Sequence, residues 1–383
     1  MRVLHIYTGN LYGGIESMLS TLARCRNLCA DMEPHYALCF HGRLSEDLSH
    51  QGVPLYDLGH VRARNLLSVK RARRRLADIL RAQKIEVAIC HAVWSQVIFG
   101  SVIRKAGIRQ VFWQHDAVTG KGWLEKAAAR IRPSLVISNS FYSQSTLIGL
   151  YTDVPSHVVY CPIELINRQA FLVSREEIRK RMNTPMDATV IVQLSRLEPW
   201  KGHELHIRAL ARLQELPNWE CWMVGGPQRP HEVSYFEKLK QLAKALGIED
   251  RVRFLGQRDD PLQFLAAADI HCQPNAGPEA FGLTFVEALA MGLPIVSTKS
   301  GAVPEIVNDF CGVLVEPANI FQLADTLASL IQNSSARHQL GSAGPRRAAE
   351  LCDATRQLNK LVHVLSDTST LHSRPANLDT VEC

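Results

Sequence analysis

Short apolar runs and helically spaced segments alternate along most of the chain. Val3 to Tyr7 reads as a buried strand, Gly9, Gly13 and Gly14 break it, and Ile15 to Leu28 resumes with helical spacing through Met18, Leu19, Leu22 and Ala23. The alternation predicts strands at His35–Phe40, Val87–Cys90, Val111–Gln114 and Leu135–Ser138, with a helix over Ser68–Ala82. A new strand begins at Thr189–Leu194, and the layout repeats. Helices are predicted at Gly202–Leu213, Val233–Leu246, Pro261–Ala267, Gly282–Met291 and Ile320–Ile331, with strands at Glu220–Val224, Val252–Leu255, Ile270–Gln273, Pro294–Ser297 and Val313–Val315. Strands this apolar on both faces suit parallel sheets covered by helices. The expected fold class is therefore α/β, with two Rossmann-like doubly wound domains facing an interdomain cleft, because ligands in such sheets sit beyond the carboxyl ends of the strands.

The predicted division is an N-terminal domain over 1–165, a C-terminal domain over 166–345, a closing helix over 346–366 and a loose polar tail over 367–383. A length of 383 residues, 46% hydrophobic and 21% charged, suffices for two cores. No apolar run is long enough for a membrane helix and the start lacks a secretory pattern, so a cytosolic chain is expected. Ten scattered cysteines without Cys-x-x-Cys spacing read as reduced, structural thiols.

The net charge of +6 is uneven: residues 1–170 hold 21 Lys/Arg against 12 Asp/Glu, which leaves −3 for the remainder. Much of the excess lies between Arg62 and Lys84, around Lys70, Arg71, Arg73, Arg74 and Arg75, on a helix whose apolar face is Leu76, Ile79 and Leu80. That pattern is either a solvated helix face or a surface that attracts anionic lipid headgroups or a phosphorylated acceptor. It lacks the interleaved aromatics of single-strand nucleic-acid binders, and no nucleic-acid partner is expected.

The chemistry concentrates in two stretches of the second half. In Pro278-Glu279-Ala280-Phe281-Gly282-Leu283-Thr284-Phe285-Val286-Glu287, two carboxylates flank the start of a helix. The backbone amides of Phe281, Gly282 and Leu283 are placed to receive a phosphate or sugar oxygen, and Glu287 to take ribose hydroxyls. The alternative is an exposed loop acid and an ordinary helix residue. In Gln193 to Gly202, Arg196 and Lys201 follow a strand of the same half, where two cations suit a leaving diphosphate. No Asp-x-Asp pair is present to hold Mg²⁺ or Mn²⁺, so a side-chain clamp without metal or other cofactor is expected. His203 and His206 are one residue too close for a His-Glu-x-x-His zinc motif.

These residues resemble the retaining glycosyltransferases of family four, a GT-B group marked by Glu-x7-Glu, matched here by Glu279 and Glu287. The resemblance implies that Glu279 contacts the donor sugar, Glu287 the ribose, and Arg196 with Lys201 the diphosphate. Val224-Gly225-Gly226-Pro227 matches the family's glycine turn near the donor, Phe254 to Gln257 its strand and loop beside the base, and Gly301 to Val307 its Gly-x-Pro-Glu segment. In the front half, Gly13-Gly14-Ile15-Glu16 resembles the glycine loop facing the diphosphate, and Trp113-Gln114-His115-Asp116 the His-Asp pair, with His115 touching the donor sugar or steadying the acceptor. A simple strand-to-helix turn and a hydrogen-bonded strand-end histidine are the competing readings. Cys161-Pro162-Ile163-Glu164 departs from the family's Asn-Gly-Ile-Asp type turn, which bears on the hinge rather than the chemistry.

The implied activity is metal-independent, retaining transfer of a hexose-type sugar from a UDP- or GDP-sugar to a glycan or lipid-linked acceptor, with a possible peripheral contact at an anionic inner membrane face. Two other readings stand beside it: a donor-binding module without catalysis, and a nucleotide-sugar epimerase of the same shape. A dehydrogenase falls last, because no Gly-x-Gly-x-x-Gly follows a strand.

Overall fold

The computed structural model describes residues 1–9, 11–62, 64–164 and 168–367. The first sheet holds β1 (Arg2–Tyr7), β2 (Glu33–Leu38), β3 (Leu55–Asp57), β4 (Val87–His91), β5 (Arg109–Gln114), β6 (Leu135–Ser138) and β7 (Ser156–Val158) in the order β3-β2-β1-β4-β5-β6-β7. The second holds β8 (Thr189–Leu194), β9 (Trp219–Val224), β10 (Val252–Gly256), β11 (Ile270–Gln273), β12 (Ile295–Thr298) and β13 (Gly312–Val315) in the order β10-β9-β8-β11-β12-β13. Every pairing between these strands is parallel. Both sheets reverse direction beside their first strand, between β1 and β4 and between β8 and β11, which opens a crevice at those carboxyl ends. The two crevices face each other. The fold is GT-B: two Rossmann-like domains around one cleft.

Several boundaries differ from the sequence reading. β2 begins two residues earlier than predicted, and the first helix ends at Arg24, followed by a 3₁₀ turn over Arg26–Leu28. Two helices that the periodicity did not mark, Ala92–Lys105 and Ser334–Cys352, are present. The first buries Ser95, Gln96, Ile98, Phe99, Gly100 and Ile103, too wide a face to leave a clear apolar stripe. The second contains Pro345, and its Gly341 and Gly344 lie so close to the carbonyls of Gly292 and Leu289 that a Cβ would stand 2.2 and 2.6 Å from them. Residues that read as helix breakers here allow two helices to touch.

The expected boundary between 165 and 166 lies outside the described residues, as does the tail beyond Asp367. After Cys352 the chain returns to the first domain. The Ile163 amide donates to the Cys352 carbonyl at 2.8 Å, and Ile163 pairs with Asp353 in an isolated bridge. Helix Ala354–Ser366 then buries Leu358, Leu361, Val364 and Leu365, and the Arg109 guanidinium of β5 donates to the Leu365 carbonyl. In the departing Cys161–Glu164 segment, Glu164 pairs with Arg24 at 2.6 Å.

Direct contacts hold the domains face to face. Glu305 of the second domain accepts from the amides of Phe141 and Tyr142 (2.9 and 2.6 Å) at a helix start in the first, and from the Tyr160 hydroxyl at 3.2 Å. Ser140 and Ser143 donate to the Ala280 carbonyl at 2.6 and 3.0 Å. On the opposite side of the cleft, Tyr12 and Gln228 exchange two hydrogen bonds, from the Tyr12 amide (3.1 Å) and to its carbonyl (3.0 Å). The described cysteines are all buried and unpaired, and no described helix is long and apolar enough to cross a membrane.

Candidate functional site

The cleft has a volume of about 1090 Å³ and is lined from both domains. From the second domain, β8 ends at Leu194 and the chain turns through Arg196 and Lys201 into a helix starting at His203. That turn is pinned. Gln193 donates to the Lys201 carbonyl at 2.9 Å, and Gly202 adopts a left-handed φ of 76° where a Cβ would fall 1.7 Å from the Pro274 carbonyl oxygen. Only glycine permits that approach, and it fixes the Lys201 loop against the loop after β11.

Glu279 stands in that second loop. Lys201 Nζ lies 2.6 Å from its Oε2, and Asn275 (3.0 Å) and Gln273 (3.3 Å) donate to the same oxygen. Lys201 also lies 4.0 Å from the centre of the Trp200 ring, a cation-π contact. The side chains of Lys201 and Glu279 are only 12% and 7% exposed, so this is a largely desolvated ion pair at the edge of an open cleft. The backbone of Glu279 is held from Gly301-Ala302, with the Ala302 amide donating to its carbonyl at 2.8 Å.

Arg196 pairs with Glu198 at 3.1 Å, and Glu198 also accepts from the Trp200 indole at 2.9 Å. The Arg196 side chain reaches across the cleft: a Cβ on Gly13 would lie 3.5 Å from its Cδ. A Cβ on Gly14 would meet nothing within 4 Å. Arg196 thus closes on the first of the two glycines predicted from the front half, and Gly14 and Lys201 line the same cleft. Behind the loop, Glu16 accepts from the Tyr7 hydroxyl (2.6 Å) and the Gly13 amide (3.0 Å), and burial raises its pKa.

The helix predicted at Gly282 begins at Leu283, with Gly282 left-handed at its N-cap. Among the described residues, the amides of Phe281, Gly282 and Leu283 make no hydrogen bond, and all three residues line the cleft. Glu287 lies deeper on the same helix with no side-chain partner among the described residues, and burial pushes its carboxyl up to about 7. Gly225, Gly226 and Gln257 gather at the same end of the cleft. A Cβ on Gly225 would meet the Ser195 carbonyl at 1.9 Å and one on Gly226 the Gln257 amide at 2.6 Å, so the three loops interlock.

His115 lines the first-domain wall, buried and bonded through Nε2 to His91, and Asp116 beside it has its pKa raised by burial against the opposing pull of Arg196. Every predicted site residue therefore borders this one cleft. The sequence reading did not single out Glu198, Tyr7, His91, Trp94 or the Gln273–Asn275 pair that holds Glu279. Of these only Glu198 carried a local signal, two residues from each of Arg196 and Trp200.

Residues 174–347 match the family model described as glycosyl transferases group 1. The D-inositol 3-phosphate glycosyltransferase of Corynebacterium efficiens is 34% identical over 172 residues, covering 43% of this chain and 40% of that protein. The chain spans less than half the length of such relatives in these matches. A longer match joins it to the GDP-mannose-dependent monoacylated alpha-(1-6)-phosphatidylinositol monomannoside mannosyltransferase of Corynebacterium glutamicum, 25% identical over 351 residues, 87% of this chain and 88% of that one. The crystal structure of Anabaena HepE in complex with UDP-glucose superposes with a TM-score of 0.84 at 23% identity, covering 96% of this chain and 99% of that chain, and shares the fold.

Proposed function

We propose, for a chain whose residues 174–347 match the group 1 glycosyl transferase model and which carries the GT-B fold, a nucleotide-sugar-dependent glycosyltransferase that acts with retention and without a metal ion. The observation that carries this reading is the Lys201–Glu279 pair in the cleft that the Gly13-Gly14 loop also lines, with Arg196 reaching to Gly13. A UDP- or GDP-sugar fits with its diphosphate among Arg196, Lys201 and the free amides of Phe281, Gly282 and Leu283, its sugar against Glu279 and His115, and its ribose on Glu287. The cations and amides neutralise charge that grows on the leaving diphosphate, the role a divalent ion plays elsewhere.

Glu279 already accepts from Lys201, Asn275 and Gln273, which suits a binding carboxylate rather than a nucleophile. In the reaction, the bond between the anomeric carbon and the phosphate oxygen breaks. The acceptor oxygen bonds to that carbon on the same face, and its proton passes to the departing phosphate oxygen. The interdomain contacts at Glu305 and Tyr12 tie the two walls of the cleft together, and further closure over the bound donor would limit attack by water.

The acceptor reading is a glycan or a lipid-linked sugar. Trp94, on the cleft wall, packs edge-on against exposed Trp123 with ring centres 5.5 Å apart, a surface on which a sugar ring can stack. The long match to a mannosyltransferase named for a phosphatidylinositol mannoside favours a lipid-linked acceptor. At the start of helix Leu66–Ala82, Leu66 and Leu67 are 79% and 74% exposed beside exposed Arg62, Arg64, Lys70, Arg71 and Arg74. Apolar tips within a basic collar suit an anionic bilayer surface at the cytosolic face. Sedimentation with anionic vesicles is expected to exceed that with neutral ones and to weaken in Leu66→Ser/Leu67→Ser; equal binding to both vesicle types removes the membrane contact.

The activity is tested with a panel of UDP- and GDP-sugars in EDTA, read by thermal shift and slow donor hydrolysis. One donor is expected to raise Tm by several degrees and to be hydrolysed. A panel in which no donor binds overturns the reading, and a donor bound but never turned over with any acceptor reduces the protein to a binding module.

A further inference from the structure

Three neighbouring strands, β1, β4 and β5, each supply a buried histidine, and the three rings form a row that ends at the cleft. His5 lies within β1, His91 closes β4, and His115 follows β5. His5 Nδ1 is 2.9 Å from His91 Nε2, and His91 Nδ1 is 2.9 Å from His115 Nε2, with successive rings stacked at 5.2 Å. His5 and His91 are fully buried and His115 is 6% exposed. At the inner end, His5 Nε2 is buried with no hydrogen-bond partner among the described residues. At the outer end, His115 Nδ1 makes no hydrogen bond among the described residues, and the ring borders the cleft. Directly after His91, Ala92 holds a left-handed φ of 63°, a strained backbone for a residue with a Cβ, which swings the chain into a helix while His91 stays in the sheet.

Burial keeps the rings neutral, with His5 and His115 lowered to about 3 and His91 lowered well below its ordinary value. A neutral imidazole carries one N–H, so each link needs one donor and one acceptor. Only two arrangements satisfy both links. With every proton on Nδ1, His5 donates to His91, His91 donates to His115, and His115 turns an N–H to the cleft; the orphan is a lone pair at His5 Nε2. With every proton on Nε2 the row runs backwards, the cleft meets a lone pair, and the orphan is a buried N–H. Among backbone groups a buried N–H without an acceptor is rarer than an under-satisfied acceptor, and we extend that preference to the ring.

We infer that His5 and His91 are positioning residues that hold His115 in the Nδ1–H form, so that it donates to an oxygen lone pair of the bound ligand and does not act as a base. The tautomer is a property of the free protein. The ligand, an oxygen of the donor sugar or acceptor, rests on the function proposed above.

The test is a long-range ¹H–¹⁵N correlation spectrum of the imidazoles in the full chain labelled at histidine, with single variants for assignment. His115 is expected to show a protonated Nδ1 and an unprotonated Nε2 between pH 6 and 8. A proton on Nε2, or a charged ring in that range, overturns the inference whatever the enzyme's activity. Function is read with His91→Asn, whose amide can still donate to His115, and His91→Leu, which cannot. His91→Leu is expected to lower kcat/KM about tenfold and mix the His115 tautomers, while His91→Asn retains most of both. Equal loss in the two variants, with similar Tm, assigns His91 to packing alone and overturns its positioning role.

Discussion

Replacing Lys201 by alanine is expected to lower turnover roughly 10²–10³-fold, the usual cost of removing one preorganised charge from a transition state. The ammonium is fixed by Glu279, stacked on Trp200 and largely shielded from water, so it is aligned before the donor arrives and needs no reorganisation as the diphosphate leaves. The same change damages the fold to a lesser degree. Glu279 keeps Asn275 and Gln273 but loses its cation, and breaking a desolvated pair on one side costs on the order of 3 kcal/mol. The two effects separate in Lys201→Met/Glu279→Gln, which leaves no uncompensated charge: its melting temperature is expected to recover most of the loss while turnover stays low. Turnover of Lys201→Ala within fivefold of the parent would exclude Lys201 from the leaving-group site.

Changing Glu287 to glutamine is expected to stabilise the empty protein at alkaline pH and to weaken donor binding. In the fold, burial pushes this carboxyl up to about 7, against roughly 4.3 in an unfolded chain. A raised carboxyl pKa means the folded state favours the protonated form. The contribution of Glu287 to stability is therefore greatest below about pH 4 and is lost as pH rises from about 4 to about 7, a cost on the order of 3–4 kcal/mol. Parent and Glu287→Gln should melt together near pH 4 and diverge by pH 8, the variant being higher. Donor binding runs the other way, because two ribose hydroxyls are best accepted by the ionised carboxylate. Parental affinity should rise between pH 5 and 7 and then level, while the variant binds about 10–100-fold more weakly at pH 8. Melting curves and titration calorimetry at four pH values decide it: parallel pH dependence in the two proteins would show that Glu287 does not carry the nucleotide.

The parts of the fold that were legible in the sequence are those where local pattern and burial agree. β6, β8 and β11 and helix Pro261–Ala267 fall where short apolar runs and turn residues set them. Helix Ala92–Lys105 was not legible because its wide buried face blurs the period on which helix recognition depends, and Ser334–Cys352 because its glycines serve packing and Pro345 does not end it. The same division holds in the cleft. Arg196, Lys201, Glu279 and Glu287 sit just beyond strands of one sheet, in segments where polar residues interrupt apolar runs. His5 and His91 are single polar positions inside apolar strands, and nothing nearby in the sequence marks them. They become a set only once β1 and β4 are known to be neighbours, a pairing of positions 84 residues apart that no local pattern encodes.

The return of the chain to the first domain after Cys352 bears on how this protein can be taken apart. The second domain is a continuous segment, but the first is not: its sheet ends at β7 while part of its cover, Leu358, Leu361 and Leu365, arrives nearly two hundred residues later. A fragment ending before Asp353, or one of residues 1–164 made alone, would lack that apolar strip and leave the first-domain surface beneath it exposed. Co-expression of 1–164 with a separate peptide of the last helix should therefore yield more soluble material than 1–164 by itself. A tag or fusion partner placed between Cys352 and Ala354 would pry apart the first domain rather than the one it appears to follow.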